Sequence, residues 1–401
     1  MSKNTSGSKS IPMSMPDLTE AERKAVMAVL ETPRLSMGPQ LEAFEQAVAD
    51  YVGVEHAVAV NSGTAGLHLC VRAAGISDGD LVITTPFSFV ASSNVMLYER
   101  AVPVFVDVDP LSGNIDPDQV AQAAADLAPG GIGADRWLPR SRAESAGPLK
   151  AILAVDVFGQ PANYEALEDI AEAFNLALIE DSCEALGARY RGRPAGTFGN
   201  AGVFAFYPNK QITTAEGGVV VTDRQDWADV ARSLRNQGRD QGDAWLDHSR
   251  LGYNYRMTEL SAALGVVQME RLETLLQARE KVAGWYQTRL EGVAGVTPPQ
   301  VLAGTDRMSW FVYVIKLDPG YDQMAVSEGL LAEGVPTRPY FRPIHLQRYF
   351  VDRFGYAAGD FPVSEDLGRC SLALPFSGVM AEEQVHLVVD KLIKVLAEQR
   401  A

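Results

Sequence analysis

Three short segments carry residue types whose spacing could do chemistry. Residues 60–68, VNSGTAGLH, place Ser62, Gly63 and Thr64 where a strand pattern gives way to a helix. Free N–H groups and the positive end of the helix dipole gather at such a point, and two hydroxyls stand beside them, so a phosphate could be cradled there. Neither the GxGxxG nor the Walker A spacing fits, which removes dinucleotides and P-loop nucleotides. Residues 179–186, IEDSCEAL, put Asp181 at the carboxyl end of a buried strand, where α/β sheets present ligand-contacting groups. Residues 203–219, VFAFYPNKQITTAEGGV, put Lys210 in a loop between two apolar strands. Burial there would favour the neutral amine and make the lysine a candidate Schiff-base former. Taken singly, each has a plain structural reading: a capped turn, an N-cap aspartate, a solvated lysine. Taken together, they are the parts that a pyridoxal 5'-phosphate (PLP) site needs: an anion site, a carboxylate for the pyridinium nitrogen and an amine for the aldehyde.

These residues need a scaffold, and the hydrophobic pattern supplies one. Helical spacing covers residues 17–31, with Thr19 as N-cap and Glu22 three positions on, and again residues 40–51, stopped by Gly53. Short apolar runs follow at 57–60, 81–84, 102–106, 151–155, 177–180, 203–207 and 218–222. Most lack polar–apolar alternation, as expected of strands covered on both faces. Helical stretches lie between them, so the fold class is α/β with a mostly parallel sheet. Residues 128–150, rich in Gly, Pro, Arg and Ser, read as a surface excursion. A long helix is expected from Thr258 to about Leu290, followed by a smaller α+β unit. The expected organisation is a flexible tail over 1–15, a large domain over 16–272 and a small C-terminal domain over 273–401.

Composition narrows the function classes. The chain of 401 residues carries 35 basic against 51 acidic residues, a net charge of -16. Such a surface repels nucleic acid and anionic membranes alike. No apolar run approaches the ~20 residues of a membrane span. Three cysteines without metal-ligand spacing fit a reducing, cytoplasmic setting, and no metal site is expected. His68, on the helix after the cradle, reads as a packed residue.

The chain resembles the DegT/StrS-type sugar aminotransferases, a branch of the fold type I PLP enzymes. The resemblance runs from about Pro33 to the C-terminus. It rests on SGTAGLH, PFSFVASSN (86–94), PVFVDVD with NIDP (103–109 and 114–117), EDSCEALGARYRG (180–192), FAFYPNKQITTAEGG (204–218) and GYNYRM (252–257). It implies a large PLP-binding domain and a smaller C-terminal one. By this likeness Lys210 would hold PLP covalently and shuttle the proton, and Asp181 would pair with the ring nitrogen. Phe89 would stack on the ring and Glu184 would lie beside it. Ser62, Gly63 and Thr64 would cradle the phosphate. Asn254, and with it Arg256, would reach across from the partner subunit of a homodimer. Tyr340 and His345, in RPYFRPIH, would serve the substrate pocket. Ala205 stands where the family often has Ser, so Gln211 or a water would replace that phosphate contact. The implied reaction is transamination of a nucleotide-linked keto sugar, with L-glutamate as donor, in glycan, lipopolysaccharide or antibiotic biosynthesis. The alternatives are a keto-cyclitol aminotransferase using glutamine and a PLP-binding regulatory protein without turnover.

Overall fold

The computed structural model describes residues 11–141, 147–240, 242–244 and 246–399. All seven apolar runs are strands of one sheet: β1 (His56–Val60), β2 (Leu81–Thr84), β3 (Val102–Phe105), β4 (Leu149–Val155), β5 (Ala177–Asp181), β6 (Ala201–Ala205) and β7 (Gly218–Thr222). Their order is β1-β7-β6-β5-β4-β2-β3. Only β7 runs against its neighbours, pairing antiparallel with β1 and β6, while the other contacts are parallel. The missing polar alternation has a direct cause. Val58 and Val60 face one core and Ala57 and Ala59 another, and Leu153 and Ile152 of β4 divide in the same way. Each face of the sheet is covered by helices, so neither set of side chains meets water.

The first helix, Glu20–Leu30, begins with the expected capping box of Thr19 and Glu22, and the second, Pro39–Val52, ends at left-handed Gly53. A second sheet is built from β8 (Val296–Thr297), β9 (Tyr313–Leu317), β10 (Arg338–Pro339) and β11 (Ser371–Leu374), in the order β8-β9-β11-β10 and antiparallel throughout. The helices Leu272–Leu290 and Glu382–Gln399 pack on it through Val282, Tyr286, Val389 and Leu392.

Two expectations are corrected. The long helix is two helices, Glu259–Glu270 and Leu272–Leu290, parted at Arg271, whose N–H bonds back to Gln268 and whose guanidinium is held by Asp17 and Glu22. The expected flexible tail is not loose where it is described. Ile11 is buried in the core of the second sheet, and the carbonyl of Met13 accepts the N–H of Phe376. Residues 1–10 of that tail lie outside the described residues. The excursion after residue 128 is clasped to the C-terminal part of the chain. Arg140 makes two bonds to the carboxylate of Asp360, at 2.8 and 2.6 Å, and Ser141 donates to the carbonyl of Arg353. Among the described residues no helix is long and apolar enough to cross a membrane.

Candidate active site

The carboxyl ends of β4, β5 and β6 open on a cavity of about 450 Å³ with a mainly apolar lining. The helix Gly63–Ala73 points its N-terminus at this space. Ser62 caps it, its Oγ accepting the N–H of Ala65, while the amides of Gly63 and Thr64 have no carbonyl of their own helix to bond. Close packing fixes the position of this turn. A Cβ on Gly218 would lie 2.6 Å from the nitrogen of Gly63, and one on Gly63 would lie 2.7 Å from the Cβ of Ala205. Glycine at both points lets β7 and β6 press against the helix start and push its free amides toward the cavity.

Asp181 is the last residue of β5 and is buried. Ser92 donates to its Oδ2 at 2.6 Å, and the N–H of Cys183 donates to Oδ1 at 3.2 Å. These two bonds orient the carboxylate and help to repay its burial. Lys210 sits on a turn closed by its N–H on the carbonyl of Tyr207. Its side chain is only 12% exposed, with Nζ 3.5 Å from Oε1 of Glu184 and 3.8 Å from the ring centre of Phe311. Burial pushes the Glu184 carboxyl up from its ordinary range, and the positive charge of Lys210 pulls it back. The second oxygen of Glu184 accepts the N–H of Phe158 at 2.8 Å, which fixes the side chain. Phe89 lines the same cavity and is 64% exposed, so its ring face is free to stack.

The chain matches the model of the DegT/DnrJ/EryC1/StrS aminotransferase family over residues 16–393. The chain belongs to this family. It is 36% identical over 390 residues to a GDP-perosamine synthase of Caulobacter vibrioides, covering 96% of this chain and 98% of that protein. It is 32% identical over 388 residues to EpsN of Bacillus subtilis, described as a putative pyridoxal phosphate-dependent aminotransferase, covering 96% and 95% of the two chains. Among solved structures it is similar to PseC of Helicobacter pylori, an aminotransferase of pseudoaminic acid biosynthesis. The TM-score is 0.86 at 27% identity, with 97% of this chain and all of that one covered. The protein is therefore a PLP-dependent aminotransferase with the fold expected of one. The cavity fits the cofactor by the chemistry of its donors: free helix amides for the phosphate, a carboxylate at the strand end and a primary amine in the same cavity.

The structure brings Ser62, Gly63, Thr64, Phe89, Asp181, Glu184, Lys210 and Tyr340 to one cavity. It does not bring His345 there. That imidazole is fully buried, 3.1 Å from the Glu365 carboxylate and packed on Phe361. Asn254 and Arg256 also stand outside their own chain's cavity. They run beside the edge strand β1, Asn254 exposed and Arg256 bonded to Oδ1 of Asn236 at 3.0 Å. Gln211 is not free to replace the serine that Ala205 lacks, because its amide donates to the Glu184 carbonyl at 2.5 Å and to Ser309. His68 is packed as read, between Glu99 and the hydroxyl of Tyr255. The lining residues that sequence reasoning missed include Ser92 and Phe311. Ser92 lies inside the PFSFVASSN segment, where a hydroxyl beside a known motif was the available signal. Phe311 arrives from a hundred residues away, and no spacing could have announced it.

Proposed function

We propose that this aminotransferase moves the amino group of L-glutamate to a nucleotide-linked keto sugar, giving an amino sugar for glycan, lipopolysaccharide or antibiotic assembly. We also propose that it works as a homodimer. The observation that carries this reading is the convergence of Lys210, Asp181 and the helix start at Gly63 on one cavity. The names of its relatives support the sugar acceptor, since one is a GDP-perosamine synthase and another serves pseudoaminic acid biosynthesis.

In this reading each residue has a bounded task. When bound, PLP supplies the electron sink. Asp181, oriented by Ser92 and the Cys183 N–H, holds a proton on the ring nitrogen. The amides of Gly63 and Thr64 hold the phosphate. The amine of Lys210 would move a proton from the donor carbon to C4' of the cofactor in the first half-reaction and from C4' to the acceptor carbon in the second. Glu184, beside that amine, orients it. Phe89 covers one face, and the apolar lining limits water. Asn254 and Arg256 extend from one subunit toward the anionic groups in the other subunit's site, and Tyr340 contacts substrate.

The test has two arms. L-glutamate is added to the PLP-loaded protein, and 2-oxoglutarate and the visible absorbance of the cofactor are followed. A panel of nucleotide-linked keto sugars is then offered and products are identified by mass. Formation of 2-oxoglutarate followed by an aminated nucleotide sugar is expected. Turnover only with glutamine and a free keto-cyclitol, or no turnover with any donor, would replace the proposal by one of the two alternatives.

A further inference from the structure

One fully formed charge near the cavity has no task in that scheme. Arg279, on the helix Leu272–Leu290, is 4% exposed. It has no carboxylate partner among the described residues, and burial pushes its pKa down to about 10. Its four terminal hydrogens are nonetheless all used. Nη1 donates to the carbonyls of Trp310 and Phe311, each at 3.2 Å. Nη2 donates to the carbonyl of Asn209 at 3.1 Å and to that of Lys210 at 2.5 Å. Both backbone segments lead to the same atom, because Lys210 carries Nζ and Phe311 carries the ring that lies 3.8 Å from it. Trp310 is in the left-handed region, with φ of 51°. That interrupts the alternation of extended backbone and lets two successive carbonyls face one donor. Gln211, next to Lys210, ties the same two segments at one further point by donating to Ser309. A buried guanidinium without a counter-ion is costly, and four carbonyl dipoles repay only part of the cost.

We infer that Arg279 is a positioning residue for the transamination. One planar group fixes the turn of Lys210 and the segment of Phe311 relative to each other, and so places the reactive amine between the Phe311 ring and Glu184. The inference rests on Lys210 being the reactive lysine.

Full-length Arg279→Met and Arg279→Lys proteins are compared with the parent. Met removes all four bonds. Lys keeps the charge but cannot span both carbonyl pairs. Three readouts are taken: the PLP dissociation constant by fluorescence quenching, the residue labelled on borohydride reduction, and kcat and KM for L-glutamate per bound PLP. Labelling should stay on Lys210 and PLP affinity should fall only a few-fold, while kcat per bound cofactor falls about 10²-fold in both variants with KM little changed. A merely structural arginine would lower the yield of folded protein and leave kcat per site intact. Unchanged kcat per site in either variant would overturn the inference. If neither variant folds, Phe311→Leu decides, since it keeps the four carbonyl bonds but removes the ring, and an unchanged kcat per site there overturns it equally. Labelling of a different lysine in the parent protein would instead sink the assignment of Lys210, which separates the two failures.

Discussion

At the scale of single residues, the site is a set of groups whose charge is managed by neighbours. Asp181 depends on Ser92, whose hydroxyl is 2.6 Å away. Ser92→Ala leaves a buried carboxylate oxygen without its side-chain donor, and a hydrogen bond to a charged group is worth about 1.5–3 kcal/mol. The expected result is a roughly tenfold loss of kcat with the fold intact, and Asp181→Asn should lose far more. Steady-state kinetics on PLP-saturated protein checks both. Beneath Asp181 lie two more buried carboxyls. Burial and the charge of Asp156 raise Glu180 to about 8, against three backbone N–H donors, and burial raises Asp156 to about 7, against bonds from Ser182, Tyr164 and Ala162. Both folded-state values lie above the unfolded ones, so the folded chain holds protons that the unfolded chain has released. Their contribution to stability is therefore greatest below the unfolded values and declines as pH rises through the window up to about 7–8. Urea midpoints at pH 5 and pH 8.5 should show this fall. Asp156→Asn keeps the shape and can bond Ser182 in reverse, so it should flatten the slope; an identical slope in that variant would refute the assignment.

At the scale of elements, several placements depend on side chains from distant segments. The helix Pro39–Val52 starts at Gly38, which offers no side-chain cap. The cap comes from Glu259, which accepts N–H groups of Gly38, Gln40 and Leu41 at 2.9, 2.8 and 3.0 Å. Glu259→Ala would orphan all three at a buried position, a loss of about 3 kcal/mol or more. Glu259→Gln, which keeps one acceptor oxygen, should lose less, and urea denaturation of the two variants tests that order. This capping marks the limit of what could be read ahead of the structure. The seven strands were legible because each centres on a short apolar run, and the box of Thr19 and Glu22 because it is local. The cradle, Asp181 and Lys210 were legible because each sits at a strand end with a helix or turn beside it. The role of Glu259, the break at Arg271, the burial of Ile11 and the enclosure of His345 by Glu365 and Phe361 were not. Each depends on a partner far along the chain, and local spacing holds no record of it.

At the scale of the whole molecule, the net charge of -16 sits oddly with an anionic cofactor and with the anionic acceptor proposed above. In the proposed site local donors would resolve the conflict, since free amides at one helix start act over a few ångströms while surface charge is screened within about 8 Å in physiological salt. In the proposed homodimer Asn254, exposed beside β1, would reach the other subunit's cavity. That geometry makes a prediction which separates shared from self-contained sites. Lys210→Ala lacks the reactive amine and Asn254→Ala lacks the crossing contact, so each protein alone should be nearly inactive. In a mixed dimer one cavity receives Lys210 from the second chain and Asn254 from the first, and is whole; the other cavity carries both defects. Equal amounts of the two variants, allowed to exchange fully, form mixed dimers half the time, so activity should recover to about a quarter of the parent value. Sites that draw Asn254 from their own chain would give only the average of the two variants, and a fully active Asn254→Ala protein would remove Asn254 from the site altogether.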